Sequence, residues 1–510
     1  MIHPFDDVRA GFDVDADVVV VGSGAGGAVA AANLARAGLR TVVLEAGPEL
    51  RPEDMTRDAP LFMARYYWEG GLRMLSGTTQ IPTLQARCVG GSTVVNSAIL
   101  MELPGWVREA WQRETGLSLF TGPLLDAAYR RVFSRSRAAP TPMTVMGRRN
   151  LVVRDALARA GMNGGPLPRA VVDCEGSADC FTGCAGGRKQ SVDRTFLRDA
   201  VRDGASVYTC AHVESVELDG HTATGVVGTI RDPNGQGVVA RFRVRARRVV
   251  LAAGVLHTPV ILQRSGITAG GAVGGTLFSH IGGGMVGILP EVVDPWVGAT
   301  QGWGALSDEI RGMKYECLWA PPSVLMVRWG DVGHGFLRRL GEVKHATVIA
   351  TVYRARVHGR VRARRNGMPS MSLYIPDDEA RTVFRGLKIG ADALLDVGAE
   401  YVHTGVPGVV DEMRSRKDTE SLLSPNLGAK NLQMSATHVF GSCRMSEREG
   451  AVDETGRVLG TRGVYVADAS LFPSPSSVNP QATIMALSDL VSRGLGELSP
   501  TEPPGAVPLG

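Results

Sequence analysis

Residues 435–445, SATHVFGSCRM, place one histidine just ahead of a turn of small residues that contains a cysteine. His438 and Cys443 allow three interpretations: a metal site, a histidine buried for packing, or an acid/base group. No second pair of Cys or His residues stands at metal-ligand spacing near them, which argues against a metal. An imidazole can accept a proton near neutral pH, so the stretch could carry general acid/base chemistry, with packing as the open alternative.

A second candidate site lies where an apolar run ends in glycines. Residues 17–21 are too short for a helix, and Gly22, Gly24 and Gly27 follow with G-x-G-x-x-G spacing before an alanine-rich helical pattern. Glycines at such a strand-to-helix turn let a pyrophosphate rest on the positive end of the helix. Glu45 ends the next predicted strand, where an acid accepts from ribose hydroxyls. The chain has one such fingerprint, so a separate nicotinamide site is not expected.

A further loop combines close-approach glycines with hydrogen-bonding side chains. It is RCVGGSTVVNSAIL, residues 87–100. Gly90 and Gly91 allow the backbone to come near a ligand, and Ser92 and Asn96 can form hydrogen bonds to a polar ring.

Two later segments have the strand, turn and helix order that could position a ligand. Residues 249–267 predict a strand, a glycine turn and a helix with Pro259 in its first turn. Residues 463–495 predict a strand ending at Asp468, a proline-rich loop and a helix that begins near Pro480.

Composition places the chain among ordinary globular proteins. It has 510 residues, 44% apolar and 21% charged, with a net charge of +4, and this length predicts two domains. The most basic run, residues 353–367, alternates like a strand with a solvated edge, so a nucleic-acid partner is not expected. Residues 498–510 are proline-rich and predict a disordered tail.

The same sequence predicts a cytoplasmic location. No apolar run is long enough for a transmembrane helix, and the acidic N-terminus lacks the apolar core of a secretory signal. Seven cysteines, an odd number, favour free thiols in a reducing compartment.

Taken in order, these segments resemble the glucose–methanol–choline (GMC) family of flavin oxidoreductases. GGSTVVN is similar to the family's first signature, GVLHTPVILQRSGI to its second, and HVFGSCRM with GVYVADAS and NPQATIMAL to its C-terminal signature. The resemblance covers the N-terminal 100 residues, residues 186–285 and residues 430–495. It implies FAD as the cofactor and oxidation of an alcohol to a carbonyl by hydride transfer to flavin N5.

The resemblance also implies roles for single residues. His438 would act as the acid/base, and Asn479 would hold the substrate oxygen in line with the flavin. The backbone of Val213 would meet the adenine, while Asp468 would either line the flavin or only cap a strand end. The full set expected to bind FAD is Gly22, Gly24, Gly27, Glu45, Gly90, Gly91, Ser92, Asn96, Val213, Asp468, Ala469 and Pro480.

A cysteine-rich loop, residues 173–191, has two interpretations. Cys174, Cys180 and Cys184 stand at C-x5-C-x3-C spacing, and three thiolates could hold a [3Fe–4S] cluster. Some sugar dehydrogenases of the family carry such a cluster, but those enzymes usually follow the last cysteine with proline, where this chain has Ala185. We therefore expect no metal, and free structural thiols or a local crosslink.

The expected fold is α/β: a discontinuous Rossmann-like FAD-binding domain and a substrate domain whose antiparallel sheet covers the flavin. The expected segments are 1–155, 187–285 and 436–497 for the FAD-binding domain, 156–186 for the Cys-rich segment, 286–435 for the substrate domain and 498–510 for the tail. Within the substrate domain, residues 324–333, 344–359 and 368–376 predict strands, and residues 377–400 predict an amphipathic helix.

The sequence favours one class of substrate and leaves two alternatives. Asn479, the apolar loop at residues 60–80 and the likeness to long-chain and sterol-oxidising relatives favour a bulky or hydrophobic alcohol. A sugar or glycoside hydroxyl is the alternative, and a non-redox lyase or non-catalytic flavoprotein is the alternative of another class. The loop is either a lid or part of the core. The electron acceptor is oxygen or another acceptor, and the sequence predicts no oligomeric state.

Overall fold

The computed structural model describes residues 1–235, 237–326, 329 and 331–497, and the tail predicted at 498–510 lies outside these residues. Its α-helices are Phe5–Val8, Ala25–Arg36, Ala59–Tyr66, Gly105–Thr115, Pro123–Ser136, Gly147–Arg159, Phe196–Arg202, Thr258–Arg264, Pro322–Leu325, His334–Glu342, Asp377–Asp396, Arg416–Thr419 and Gln481–Gly496. Over these ranges, no helix combines the length and the apolar character that a bilayer crossing requires.

A six-stranded parallel sheet carries the glycine-rich turns. Its strands, in order across the sheet, are Ile2–His3, Ser206–Tyr208, Thr41–Leu44, Val18–Val21, Val249–Leu251 and Val464–Val466. All four residues of Val18–Val21 are buried, as expected for a central strand that helices such as Ala25–Arg36 cover. Strands from both ends of the chain meet here, so the predicted discontinuous Rossmann-like domain is confirmed.

A second six-stranded sheet is antiparallel throughout. Its strands are Tyr401–His403, Gly284–Ile288, Ala346–Tyr353, Met313–Cys317, Trp303–Leu306 and Gly164–Pro166. The helix Asp377–Asp396 packs on one face, while alternate residues of the central strand, among them Val348 and Val352, line a cavity on the other. The last strand comes from outside residues 286–435, and the exact domain boundaries stay a prediction.

Two four-stranded sheets complete the larger β-structure. One contains Ala211–Asp219, Thr222–Arg231, Val238–Arg245 and Phe12–Asp15, and the other contains His358–Ala363, Pro369–Tyr374, Met74–Gly77 and Ile81–Pro82. The strand within the basic run alternates between exposed and buried residues along His358–Val361, so the predicted strand with a solvated edge is confirmed.

Two short ladders join distant parts of the chain. Ala139–Pro140 pairs with Pro168–Arg169, and Phe278–Ser279 pairs with Val439–Phe440. The second ladder is antiparallel, with Ser279 opposite Val439, and it continues with a hydrogen bond of 3.2 Å from the His280 amide to the His438 carbonyl. This register brings the rings of His280 and His438, 158 residues apart in sequence, into edge-to-face contact with their centroids 5.2 Å apart.

The strand predicted at residues 324–333 is wrong where the structure describes it. Pro322–Leu325 is a short helix that Pro322 opens, because the fixed φ of proline suits a first helical turn. Residues 327, 328 and 330 lie outside the described residues. The strand predicted at 344–359 is confirmed only over Ala346–Tyr353: Val343–His345 is a 3-10 helix, and His358 begins another strand that pairs with Pro369–Tyr374 in a different sheet. The strand Pro369–Tyr374 and the helix Asp377–Asp396 confirm the other two predicted elements.

One boundary also needs correction. The strand expected to end at Asp468 ends at Val466, because Asp468 instead caps the short 3-10 helix Ala469–Leu471 by accepting from the Ser470 amide.

Candidate active site

Two glycine-rich turns face each other across an open cradle. Gly24 precedes the helix Ala25–Arg36, and a β-carbon added to it would meet only the Cα of Gly91, at 4.0 Å. The helix has no acidic residue in its first turn, so its positive end remains available to an anion. By contrast, a β-carbon at Gly27 would lie 1.9 Å from the Gly22 carbonyl oxygen, which makes Gly27 a packing glycine. The cradle therefore fits a pyrophosphate.

The acid at the end of the second strand links the two turns. Glu45 accepts from the Ser23 amide at 3.0 Å, the Ser23 hydroxyl at 2.6 Å and the Gly47 amide at 2.9 Å. The Ser23 hydroxyl in turn accepts from the Gly90 amide at 3.0 Å. Burial raises the pKa of Glu45, and the hydrogen bonds from Ser23 and Gly47 oppose that rise. Sequence reasoning missed Ser23, which lies inside the fingerprint at a position that any residue can occupy.

Asp468 joins the third strand–turn–helix unit to the second. One carboxylate oxygen accepts from the Gly254 amide at 2.8 Å and the Thr258 hydroxyl at 2.6 Å, and the other from the Ser470 amide at 2.7 Å. These contacts make Asp468 a cap that fixes the turn after Val249–Leu251. A direct role toward the cofactor stays a prediction.

A cavity of about 410 Å³ lies between the parallel sheet's loops and the antiparallel sheet. Of the residues predicted to form the site, it is lined by Ser92, Asn96, His438, Asn479 and Pro480. Its remaining wall is largely apolar and includes Tyr67, Phe181, Val286, Leu318, Trp319, Trp329, Val348 and Val352.

The loop at residues 60–80 contributes both to the core and to this cavity. The helix Ala59–Tyr66 buries Phe62 in a small apolar cluster, while Tyr67 lines the cavity. The interpretation of the loop as part of the core therefore fits Phe62. Tyr67 belongs to the cavity wall, where its hydroxyl donates a 2.9 Å hydrogen bond to the Phe181 carbonyl oxygen.

Of the other predicted residues, Asn96 forms hydrogen bonds within the protein at both ends of its amide. Its amide donates to Gln481 Oε1 at 2.5 Å and its oxygen accepts from the Ala98 amide at 2.9 Å. Val213 lies in the strand Ala211–Asp219, away from the cavity, beside a small cleft lined by His212 and His257.

His438 is fixed by a second histidine that sequence reasoning missed. The Nδ1 atoms of His438 and His280 lie 3.1 Å apart. The His280 Nε2 atom lies 2.8 Å from the Ser476 carbonyl oxygen, which can only accept, so Nε2 of His280 carries a proton. Burial lowers the pKa of His280 well below its usual range, which keeps the ring neutral and makes its Nδ1 an acceptor.

These constraints fix the tautomer of His438. Its Nδ1 must donate to His280, so in the neutral ring Nε2 has no proton. Burial lowers the pKa of His438 to about 4, with a smaller opposing influence from Glu316. The Nε2 atom has no hydrogen-bond partner among the described residues, and the ring lines the cavity. The arrangement presents a neutral proton acceptor to whatever occupies the cavity.

Asn479 is held by a buried charged pair. Lys314 Nζ lies 2.5 Å from Asn479 Oδ1 and 2.5 Å from Glu316 Oε2. Lys314 and Glu316 stand two residues apart in the strand Met313–Cys317, so they share one face of the sheet. Gln301 donates to the other Glu316 oxygen at 2.9 Å. The Lys-x-Glu spacing in this buried strand is visible in the sequence, but it does not by itself indicate a partner for Asn479.

The three cysteines of the loop are free thiols, as are the other four. They line a separate cavity of about 240 Å³, in which Arg169 Nη2 lies 3.4 Å from Cys180 Sγ. Among the described residues, no group of three or more Cys, His, Asp or Glu side chains could hold a metal ion. The structure thus gives the cluster interpretation of Cys174, Cys180 and Cys184 no support, and the predicted local crosslink is not formed.

The comparisons with known proteins agree with this architecture. The GMC oxidoreductase family model matches residues 17–282, and its C-terminal counterpart matches residues 355–488. An uncharacterised GMC-type oxidoreductase of Mycobacterium tuberculosis is 33% identical over 478 residues, covering 93% of this chain and 74% of that protein. The chain belongs to the GMC oxidoreductase family.

Other relatives of this GMC oxidoreductase are similar over nearly its whole length. A long-chain-alcohol oxidase of Arabidopsis thaliana is 27% identical, covering 97% of this chain and 68% of that protein. Pyridoxine 4-oxidase from Mesorbium loti shares the fold with a TM-score of 0.70 at 18% identity, covering 94% of this chain and 98% of that one. An Aspergillus oryzae formate oxidase shares it with a TM-score of 0.68 at 15% identity, with the same coverage.

The protein is an FAD-dependent oxidoreductase that acts on CH–OH donors, so the predicted family, enzyme class and cofactor are confirmed. The open cradle at Gly24 and Gly91, next to a helix N-terminus, fits the diphosphate of that cofactor. The part that each predicted residue plays toward the cofactor stays a prediction.

Proposed function

We propose that this GMC oxidoreductase oxidises a bulky, apolar alcohol, with His438 as the acid/base and Asn479 as the partner of the substrate oxygen. One observation carries the proposal: a neutral imidazole, with its tautomer fixed and its Nε2 unprotonated, faces a largely apolar cavity. Bound FAD supplies the acceptor for the hydride that leaves the carbinol carbon.

The residues of the chain account for the proton. As the carbon–hydrogen bond breaks, the hydroxyl oxygen becomes a carbonyl oxygen and its proton must leave. The Nε2 atom of His438 is a basic nitrogen in the cavity wall, and it has no protein partner among the described residues. Asn479 lines the same cavity and can hold the oxygen in place while the proton moves.

The wall of the cavity supports an apolar substrate over a sugar. Val286, Val348, Val352 and Leu318 offer contact area but no hydrogen bonds, and a sugar would leave several hydroxyls unsatisfied against them. The likeness to long-chain-alcohol oxidases supports the same class. A sugar hydroxyl stays the second candidate, favoured by the polar end of the cavity at Gln301 and Glu316.

An anaerobic screen of alcohols, followed by the bleaching of the flavin absorbance, tests the proposal. We expect rapid bleaching by long-chain or polycyclic alcohols and little by glucose. His438→Ala should keep the flavin spectrum but reduce the flavin about a hundredfold more slowly, the scale expected on losing a general base. No bleaching by any alcohol would indicate a non-redox lyase or a non-catalytic flavoprotein.

The screen leaves two further predictions for separate experiments. Oxygen or another electron acceptor reoxidises the reduced flavin. Rapid mixing of the reduced protein with oxygenated buffer measures the rate of reoxidation by oxygen. The cytoplasmic location also stays a prediction.

A further inference from the structure

Lys314 stands behind Asn479 and does not line the cavity. Its side chain is only 1% exposed, and it reaches Asn479 Oδ1 and Glu316 Oε2, both at 2.5 Å. Asn479 and Glu316, in contrast, both line the cavity. Lys314 therefore reaches a bound substrate by hydrogen bonding only through these two side chains, while its charge also acts directly on His438.

The chemistry of the ammonium group decides the orientation of the amide. An asparagine side chain can be flipped without a change in its shape, since its oxygen and nitrogen ends are nearly the same size. A lysine ammonium has three donors and no acceptor, so only the oxygen end of Asn479 can face it. No described residue accepts from the Nδ2 group, so these N–H bonds are available to a ligand in the cavity.

The orientation matters because the two ends of the amide would act oppositely on an alcohol. With the NH₂ group toward the cavity, Asn479 donates to the substrate oxygen, which gains negative charge as its proton leaves. With the oxygen toward the cavity, Asn479 would accept a hydrogen bond from the substrate hydroxyl and would compete with His438 for that donor. Only the first orientation directs the hydroxyl proton to His438.

We propose that Lys314 is a positioning residue that locks the Asn479 amide with its NH₂ group toward the substrate oxygen. Lys314 also neutralises Glu316, so that the site near His438 carries no uncompensated charge. The inference rests on the proposed function, since it assigns the way in which that site holds its alcohol.

The charges around His438 support this second part. Glu316 raises the pKa of His438 and Lys314 lowers it, so the pair exerts opposing influences. His280, on the other side of the ring, is neutral, because burial holds its pKa well below the usual range. Loss of the ammonium alone would leave the carboxylate of Glu316 to favour the imidazolium form of His438.

The experiment uses the FAD-loaded protein and two double variants. Lys314→Met/Glu316→Gln removes both charges and the donor behind Asn479, without leaving a lone buried charge. Lys314→Gln/Glu316→Gln also removes both charges but restores a neutral donor near Asn479 Oδ1. Flavin content and thermal midpoint, measured for each, separate a loss of folding from a loss of positioning.

Two ligands give independent readouts. With 1-decanol under anaerobic conditions, we expect the Met/Gln variant to reduce its flavin at least about tenfold more slowly than wild type, as for one lost hydrogen bond to a developing charge. With 2-decanone, whose carbonyl only accepts, we expect about tenfold weaker binding in the flavin difference spectrum. The Gln/Gln variant should recover most of both effects.

The outcomes separate the two proposals. Wild-type reduction rates and ketone affinity in the Met/Gln variant would overturn the role of Lys314, and so would a Gln/Gln variant no better than Met/Gln. If wild type is reduced by no alcohol but the ketone still binds more weakly to the Met/Gln variant, the proposed function fails while the orientation of Asn479 stands. The single variant Lys314→Met should move the acid limb of the pH profile upward, and an unmoved limb would contradict the charge balance.

Discussion

His280 gives the sharpest test of how the site prepares His438. Replacing it with leucine removes the Nδ1 acceptor 3.1 Å from His438 Nδ1. The leucine side chain fills roughly the volume of the imidazole ring, so the packing is kept. The Nδ1–H group of His438 would then be buried without an acceptor. The other neutral tautomer, with the proton on Nε2, avoids this, but it presents a donor to the substrate hydroxyl where a proton acceptor is needed.

The size of the effect follows from the lost hydrogen bond. A buried N–H group left without an acceptor costs about 1–3 kcal/mol, and this is the free energy by which the reactive tautomer becomes less favourable. Each 1.36 kcal/mol changes a rate about tenfold, so flavin reduction by a good alcohol should slow by roughly 5- to 150-fold in His280→Leu. The pKa of His438 stays low because its main cause, burial, is unchanged.

Anaerobic stopped-flow reduction at pH 7.5 measures this rate at saturating alcohol. His280→Gln is the matched comparison, since its side-chain oxygen can accept from His438 Nδ1 and should restore most of the rate. Both variants should keep FAD, because the glycine cradle that fits its diphosphate is unchanged, and the flavin-to-protein absorbance ratio of each variant checks this. An unchanged rate in His280→Leu, or equal losses in both variants, would refute the tautomer argument.

Three further predictions concern the cofactor, pH and the cysteines. Gly24→Val should fold with the thermal midpoint of the FAD-free wild type but bind no FAD, because a β-carbon there meets only the Gly91 Cα at 4.0 Å and the side chain fills the cradle; a wild-type flavin-to-protein absorbance ratio would contradict this. Flavin reduction should be flat above about pH 5 and fall as pH drops through the His438 pKa of about 4, since the base acts unprotonated; a limb near 6.5 would contradict burial as the cause. Cys180→Ser should change activity less than about threefold, since serine can also accept a hydrogen bond from Arg169. Iron analysis of anaerobically purified protein tests the same loop, and about three irons per chain would overturn the iron-free interpretation.

The parallel part of the fold could be predicted because its signals are local. Val18–Val21, the glycines after it and Glu45 lie within 30 residues, and each has one structural meaning in that order. The antiparallel sheet could be predicted only in outline. Its strand Gly164–Pro166 has two glycines and a proline, which carry no strand propensity, and it is held by pairing with Trp303–Leu306.

The candidate site divides in the same way. His438 and Asn479 could be found because they stand in a recognisable C-terminal signature. Their partners could not, because His280 and Lys314 reach them through pairings over more than 150 residues of sequence. A lone histidine before three glycines, or a lysine in a buried strand, has no local feature that distinguishes a partner of a catalytic residue from a packed side chain.

The two partners leave complementary atoms at the cavity, and this has a consequence for selectivity. His280 leaves His438 an acceptor at Nε2, and Lys314 leaves Asn479 a donor at Nδ2. A hydroxyl group satisfies both at once, since it donates its proton to one and accepts from the other. A ketone or an ether satisfies Asn479 alone, and a protonated amine satisfies His438 alone and brings an unpaired charge to an apolar wall. On the proposed function, we therefore expect this pair of atoms to favour a neutral hydroxyl group over a ketone, an ether or a protonated amine.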